Sequence, residues 1–232
     1  ETPFGTVFST NLTPDAETGL GRWSYAAFAR AMRHGVSRDG RNLYPALPYT
    51  SFAKMAEADL QALYAYIQSL EPVRAEVPAA QMQVPRPALA VWNALFHKVD
   101  TLSPDPAQDA TWNRGRYLVE TVGHCSVCHT PRSTFGVEDQ ARALSGAMIR
   151  DWFAPALAGP EAGARGWDVP TLARYLKTGT APGLSAASGP MAEVIEGTSQ
   201  LPETDLTAMA TYLASLAEGS AATQWCDRYL PD

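Results

Sequence analysis

The sequence predicts an all-α protein in which one helical unit occurs twice. Three observations carry that prediction. Five segments combine helical apolar spacing with recognisable ends, no segment alternates apolar and polar residues well enough to read as a strand, and two of the helices recur downstream in the same order. The chain has 232 residues, 46% of them hydrophobic and 18% charged, which is enough apolar material to bury a core.

The helices follow in order along the chain. Ser24 is placed to cap YAAFARAMRH, which stops at Gly35, because a serine hydroxyl satisfies a first-turn N–H and glycine accepts the left-handed exit. EADLQALYAYIQSL carries its apolar residues at helical spacing and runs into Glu71-Pro72. TWNRGRYLVETVGHC is a third helix. WDVPTLARYLKTG begins at Asp168 as cap, holds Pro170 in its first turn and ends at Gly179. PETDLTAMATYLASL is the fifth.

GRWSYAAFARAMRHG (21–35) overlays RGWDVPTLARYLKTG (165–179) at an offset of 144, with Trp23 on Trp167, Phe28 on Leu172 and Gly35 on Gly179. MAEADLQALYAYIQSL (55–70) overlays LPETDLTAMATYLASL (201–216) at an offset of 146, with Leu60 on Leu206 and Tyr66 on Tyr212. The expected organisation is a partial first copy over 1–72, a proline-rich connector over 73–110 containing the apolar patch LAVWNALF, a complete second copy over 111–217, and a tail over 218–232. The connector is expected to pack along one copy or against a partner.

Composition excludes some functions. A net charge of −6 argues against a nucleic-acid partner. No apolar stretch is long enough to span a bilayer, so membrane association is expected only through partners or through segments outside these residues.

The chemistry concentrates in GHCSVCHTPR (123–132), where Cys125, Cys128 and His129 form Cys-x-x-Cys-His. Zinc would need four ligands, and Cys226, His124, His97 and His34 offer no second paired spacing. A redox dithiol would follow a strand in an α/β fold, and the strands are missing. Haem c fits best: two thiols add across the haem vinyl groups, and the adjacent imidazole ligates iron from the same turn. A sixth ligand is then sought among the later methionines. Met209 lies inside the last helix, where methionine is usually core. Met148 is near the motif. Met191 lies in the Gly/Pro/Ser-rich segment SAASGPMAEVIEG, read as a loop able to bring a thioether onto a flat cofactor, and is the expected ligand. Its counterparts in the first copy, Leu47 or Pro45 by the two offsets, cannot bind iron, and Met55 aligns with Leu201. No catalytic acid, base or nucleophile is expected, and His34, His97 and His124 are read as ordinary histidines.

TPFGTVFSTNLTPDAETGLGRWSYAAFARAMRHGVSRDGRNLYPALPY (2–49) and NRGRYLVETVGHCSVCHTPRSTFG (113–136) resemble the first and second haem domains of multihaem, usually triheme, cytochrome c subunits of periplasmic, membrane-bound alcohol, aldehyde and sugar-acid dehydrogenases. The resemblance implies tandem class I-like cytochrome c domains and electron relay from a dehydrogenase catalytic subunit to ubiquinone or an oxidase, in the periplasm at the inner membrane. It implies Cys125 and Cys128 as thioether cysteines, His129 as proximal and Met191 as distal iron ligand, Pro131 as the carbonyl that takes the imidazole N–H, and Arg132 and Trp167 as residues contacting or shielding the haem propionates. In that family the first domain opens with its own Cys-x-x-Cys-His helix ahead of ETPFG, often carries methionine at position 47, and is followed by a third domain beyond 217. The given residues are therefore expected to be part of a longer chain, with a further haem in the first domain if its opening helix is present. The rival expectation is a partly haemless adaptor that assembles a dehydrogenase complex through the LAVWNALF patch.

Overall fold

The computed structural model describes residues 4–163, 165–183 and 185–217. The described chain is mostly helical and divides into two compact units, Glu1–Leu102 and the residues from Ser103 onward. Cys226 and the expected tail 218–232 lie outside the described residues.

The first unit contains β1 (Gly5–Thr6), α1 (Tyr25–His34), α2 (Tyr49–Phe52), α3 (Glu57–Ser69), β2 (Gln81–Met82) and α4 (Arg86–Phe96), with β1 and β2 paired antiparallel. Leu20, Phe28, Met32, Met55, Leu60 and Ile67 form its core, with Trp23 packed against them. Residues 73–102 of the connector fold with this unit. LAVWNALF is the body of α4, which Pro87 starts because a proline in the first turn lacks only an N–H that would have no partner there. Its Asn93 Oδ1 accepts from the Tyr49 hydroxyl at 2.7 Å, and His97 just beyond it meets the Arg33 carbonyl at 2.7 Å.

The second unit contains α5 (Ala110–Tyr117), a wide helical turn (Leu118–Val122), α6 (Ser126–His129), β3 (Ala147–Ile149), β4 (Trp152–Ala154), α7 (Gly159–Gly163), α8 (Val169–Thr178), α9 (Pro190–Thr198) and α10 (Glu203–Ala217). Leu118, Leu172, Leu176, Leu206, Leu213 and Leu216 belong to its core. β3 and β4 form an antiparallel hairpin. Strands of two and three residues are too short to leave an alternating pattern, which is why the sequence shows no strand.

Counterparts in the two helix pairs do the same work. The Ser24 hydroxyl accepts from Ala27 N–H and the Asp168 carboxylate from Thr171 N–H, so both caps form as read. Gly35 and Gly179 close their helices in the left-handed conformation, at φ 62° and 71°. Phe28 and Leu172 are buried alike, as are Leu60 and Leu206. One pair differs. Tyr212 is 2% exposed and Tyr66 is 63% exposed. Tyr212 is covered because α5 crosses α10 there: a Cβ on Gly115 would lie 2.9 Å from Tyr212 Cβ and would overlap the Ala208 carbonyl. Arg114 locks the crossing with a two-pronged bond to Asp205 at 2.9 and 2.8 Å.

Candidate functional site

The third expected helix does not run unbroken to Cys125. α5 ends at Tyr117 and the backbone widens, with Gly123 N–H reaching back five residues to the Leu118 carbonyl at 2.7 Å. Such widened turns recur at functional sites because they shift the register of the residues that follow. His124 then takes a left-handed conformation at φ 38°, unusual for a residue with a side chain, and Cys125 N–H bonds the Val119 carbonyl at 3.1 Å. α6 follows at once, its single turn closed by His129 N–H on the Cys125 carbonyl at 3.0 Å. One turn therefore carries both thiols and the imidazole, as the spacing predicts. Neither thiol is in a disulfide.

His129 is 8% exposed. Its Nδ1 meets the Pro155 carbonyl at 2.7 Å. A carbonyl only accepts, so Nδ1 bears the proton and Nε2 keeps its lone pair free for a metal. Burial holds the imidazole below its usual pKa, partly opposed by the Pro155 bond, and the ring stays neutral. The family resemblance implies Pro131 as the acceptor, and the structure corrects this. The Pro131 carbonyl instead takes Asp139 N–H at 2.8 Å, because the chain turns back through a tight loop after Arg132, and the end of β4 brings Pro155 to the ring. The turn is held from outside as well. Gly146 N–H donates to the His129 carbonyl at 2.8 Å, and Leu144 N–H to Thr130 Oγ1 at 2.9 Å, with Leu144 itself left-handed at φ 57°.

The thiols bear on which chemistry fits. Burial pushes Cys125 up to about 12, with the neighbouring Cys128 adding to the rise, and burial raises Cys128 as well. A redox dithiol works through a thiolate stabilised near neutrality, and these environments oppose one. Among the described residues, no group of three or more His, Cys, Asp or Glu side chains is placed to hold a metal ion.

Other predicted residues fall as follows. Met191 is the second residue of α9, not part of a loop, because Pro190 starts a helix there; it packs, partly buried, on the same core as Cys125 and Trp167. Met209 is buried within α10, and Met148 is 63% exposed on β3. The guanidinium of Arg132 is engaged by Glu138 at 3.0 Å and the Gly136 carbonyl at 2.7 Å, so it braces the loop beside Cys128. Arg165, absent from the residues expected at the site, lies 5.1 Å above the Trp167 ring, and its charge reaches His129. Its only signal in the sequence is an arginine two residues before the tryptophan. Pro155 leaves none, being 26 residues from its partner in sequence.

No protein-family model matches the chain. Among curated proteins it is similar to a nicotinate dehydrogenase subunit of Pseudomonas putida, 51% identical over 220 residues, which covers 93% of the chain and 18% of that protein. It is 40% identical over 221 residues to the fructose dehydrogenase cytochrome subunit of Gluconobacter japonicus, covering 92% of the chain and 45% of the relative. To a diheme cytochrome c-type protein of Cereibacter sphaeroides it is 36% identical over 228 residues, 91% of the chain and 72% of the relative. The chain thus spans less than half of the length of the first two relatives.

Proposed function

The chain belongs to the family of multihaem c-type cytochromes that includes cytochrome subunits of dehydrogenases, with haem c as its cofactor, and on that footing we propose that its second unit relays single electrons from a dehydrogenase catalytic subunit to a quinone or a terminal oxidase. The observation that carries this reading is the His129 turn: two thiols outside any disulfide and a neutral imidazole on one turn, with Nδ1 tied to Pro155 and Nε2 left to bind iron. The donor set fits haem c. Cys125 and Cys128 would hold it covalently, His129 and Met191 would ligate the iron, and Trp167 and Arg165 would lie at its margin. Bound haem c supplies a one-electron ferric–ferrous couple. The residues of the chain set its terms: the Pro155 bond fixes the imidazole and raises its basicity, the apolar core excludes water, and the thioether of Met191 favours the reduced state.

The same reading makes the two units tandem class I-like cytochrome c domains, the first without its haem-attachment helix in these residues. The shared caps of α1 and α8, and the shared buried positions of α1 and α3 with α8 and α10, support it. Location in the periplasm at the inner membrane belongs to the proposal; among the described residues no helix is long and apolar enough to cross a membrane. A second reading, a partly haemless adaptor, rests on α4, which leaves Val91 and Leu95 exposed as a docking face.

Reduction of the holoprotein by its dehydrogenase partner, followed in reduced-minus-oxidised spectra, tests the relay, and absence of haem c bands would sink it in favour of the adaptor. Met191→Ala should lower the reduction potential and let carbon monoxide bind the ferrous form. An unchanged spectrum and potential would assign the sixth position to another residue.

A further inference from the structure

The β3–β4 hairpin lies between the two ends of the site. At its base, Pro155 follows β4 and holds His129. Near its tip, the indole of Trp152 lies against Gly189, where a Cβ would come within 2.9 Å of Trp152 Cζ2 and closer still to the fused ring carbons. Gly189 has φ 54° and ψ −139°, a combination that residues with a side chain rarely adopt. It is also the entry residue of α9: its carbonyl accepts Ala192 N–H at 3.0 Å, and Met191 stands between those two positions. The far end of α9 is tied separately, by Thr198 Oγ1 donating to the Leu176 carbonyl at 2.6 Å on α8. The first turn of α9, which carries Met191, thus rests on Trp152.

We propose that Trp152 is a positioning residue for Met191: its ring seats Gly189, Gly189 sets the direction of the first turn of α9, and that turn presents the methionine thioether to the iron. One hairpin would then hold the proximal imidazole through Pro155 and the distal thioether through Trp152. The inference rests on the assignment of Met191 as ligand.

Trp152→Ala, Trp152→Phe, Gly189→Ala and Met191→Ala are compared in the full-length holoprotein. Covalent haem content and far-ultraviolet circular dichroism serve as controls for folding. The readouts are the far-red charge-transfer band of methionine-ligated ferric haem, carbon monoxide binding to the ferrous form, and the reduction potential. Trp152→Ala should lose much of the band, gain carbon monoxide binding by about tenfold as the methionine-bound fraction falls, and shift the potential downward. Trp152→Phe, which keeps a flat ring against Gly189, should restore most of the band, and Gly189→Ala should resemble Trp152→Ala. A Trp152→Ala protein with unchanged band, carbon monoxide binding and potential overturns the proposal while leaving Met191 in place, provided Met191→Ala loses the band. A Met191→Ala protein that keeps the band overturns the ligand assignment and this proposal with it.

Discussion

At the scale of single residues, the second unit is marked by a buried charge beside its attachment turn. Arg116 Nε donates to Glu120 Oε1 at 3.2 Å, and the Tyr212 hydroxyl donates to the same oxygen at 2.5 Å. Both charged side chains are nearly inaccessible, at 6% and 9%. Burial raises the Tyr212 pKa well above its usual value, with the Glu120 charge adding to the rise, so the phenol stays a donor. Glu120 belongs to the wide turn that ends two residues before His124, so this network is part of what holds the turn. Losing one member of a buried pair costs more than replacing both, because the survivor keeps its desolvation penalty. Arg116→Leu should therefore destabilise the second unit by about 3–5 kcal/mol in denaturant unfolding. The double change Arg116→Leu with Glu120→Leu should recover much of that loss. Equal losses for the single and double variants would show that the two charges are not coupled.

At the scale of elements, the α5–α10 crossing carries the site. α5 delivers the wide turn and hence α6, and α10 supplies the floor of the core. Gly115 permits the close approach, so Gly115→Ala forces the helices apart and should cost about 1–3 kcal/mol by overpacking, read as a lowered unfolding midpoint with haem still attached. Electrostatics add a pH dependence. The side-chain bond from Arg114 holds Asp205 below its ordinary value of 3.8, with the Arg114 charge assisting. A carboxylate depressed in the folded state stabilises fully above that ordinary value and loses its contribution as pH falls through the lower folded value. Unfolding midpoints of the wild type should accordingly drop as pH passes below about 4, and Asp205→Asn should flatten that drop. An identical acid profile in the variant would remove this pair from the account.

At the scale of the molecule, two units share a pattern of helix ends and buried positions, and the attachment motif of the given residues lies in the second. The first has no cysteine, and its counterparts to Met191 are Leu47 and Pro45. Its Met55, aligned with a leucine, is buried among Leu20, Phe28 and Leu60, where it acts as core. Haem quantitation should therefore give one haem c per chain of these residues. Changing Cys125 and Cys128 to alanine together should abolish covalent haem, whereas retained covalent haem would place an attachment site elsewhere. Tyr66 on α3 is exposed, at the position where Tyr212 of the second unit is roofed by α5.

Periodicity, caps and the Cys-x-x-Cys-His spacing determined the helical class, the ends of α1 and α8, and the turn that carries Cys125, Cys128 and His129. These are legible in sequence because each is fixed by residues within a few positions of one another: a cap by its first turn, a haem motif by a single helical turn. The tertiary structure decided which partners the side chains meet. It put Pro155 rather than Pro131 on His129, drew Arg132 into its own loop, placed Met191 at the start of a helix, brought Arg165 over Trp167 toward His129, and folded residues 73–102 onto the first unit. The Pro155 contact carries no local signal, because a carbonyl is available at almost every position and this one lies 26 residues from His129. Only the path of the chain selects which one arrives.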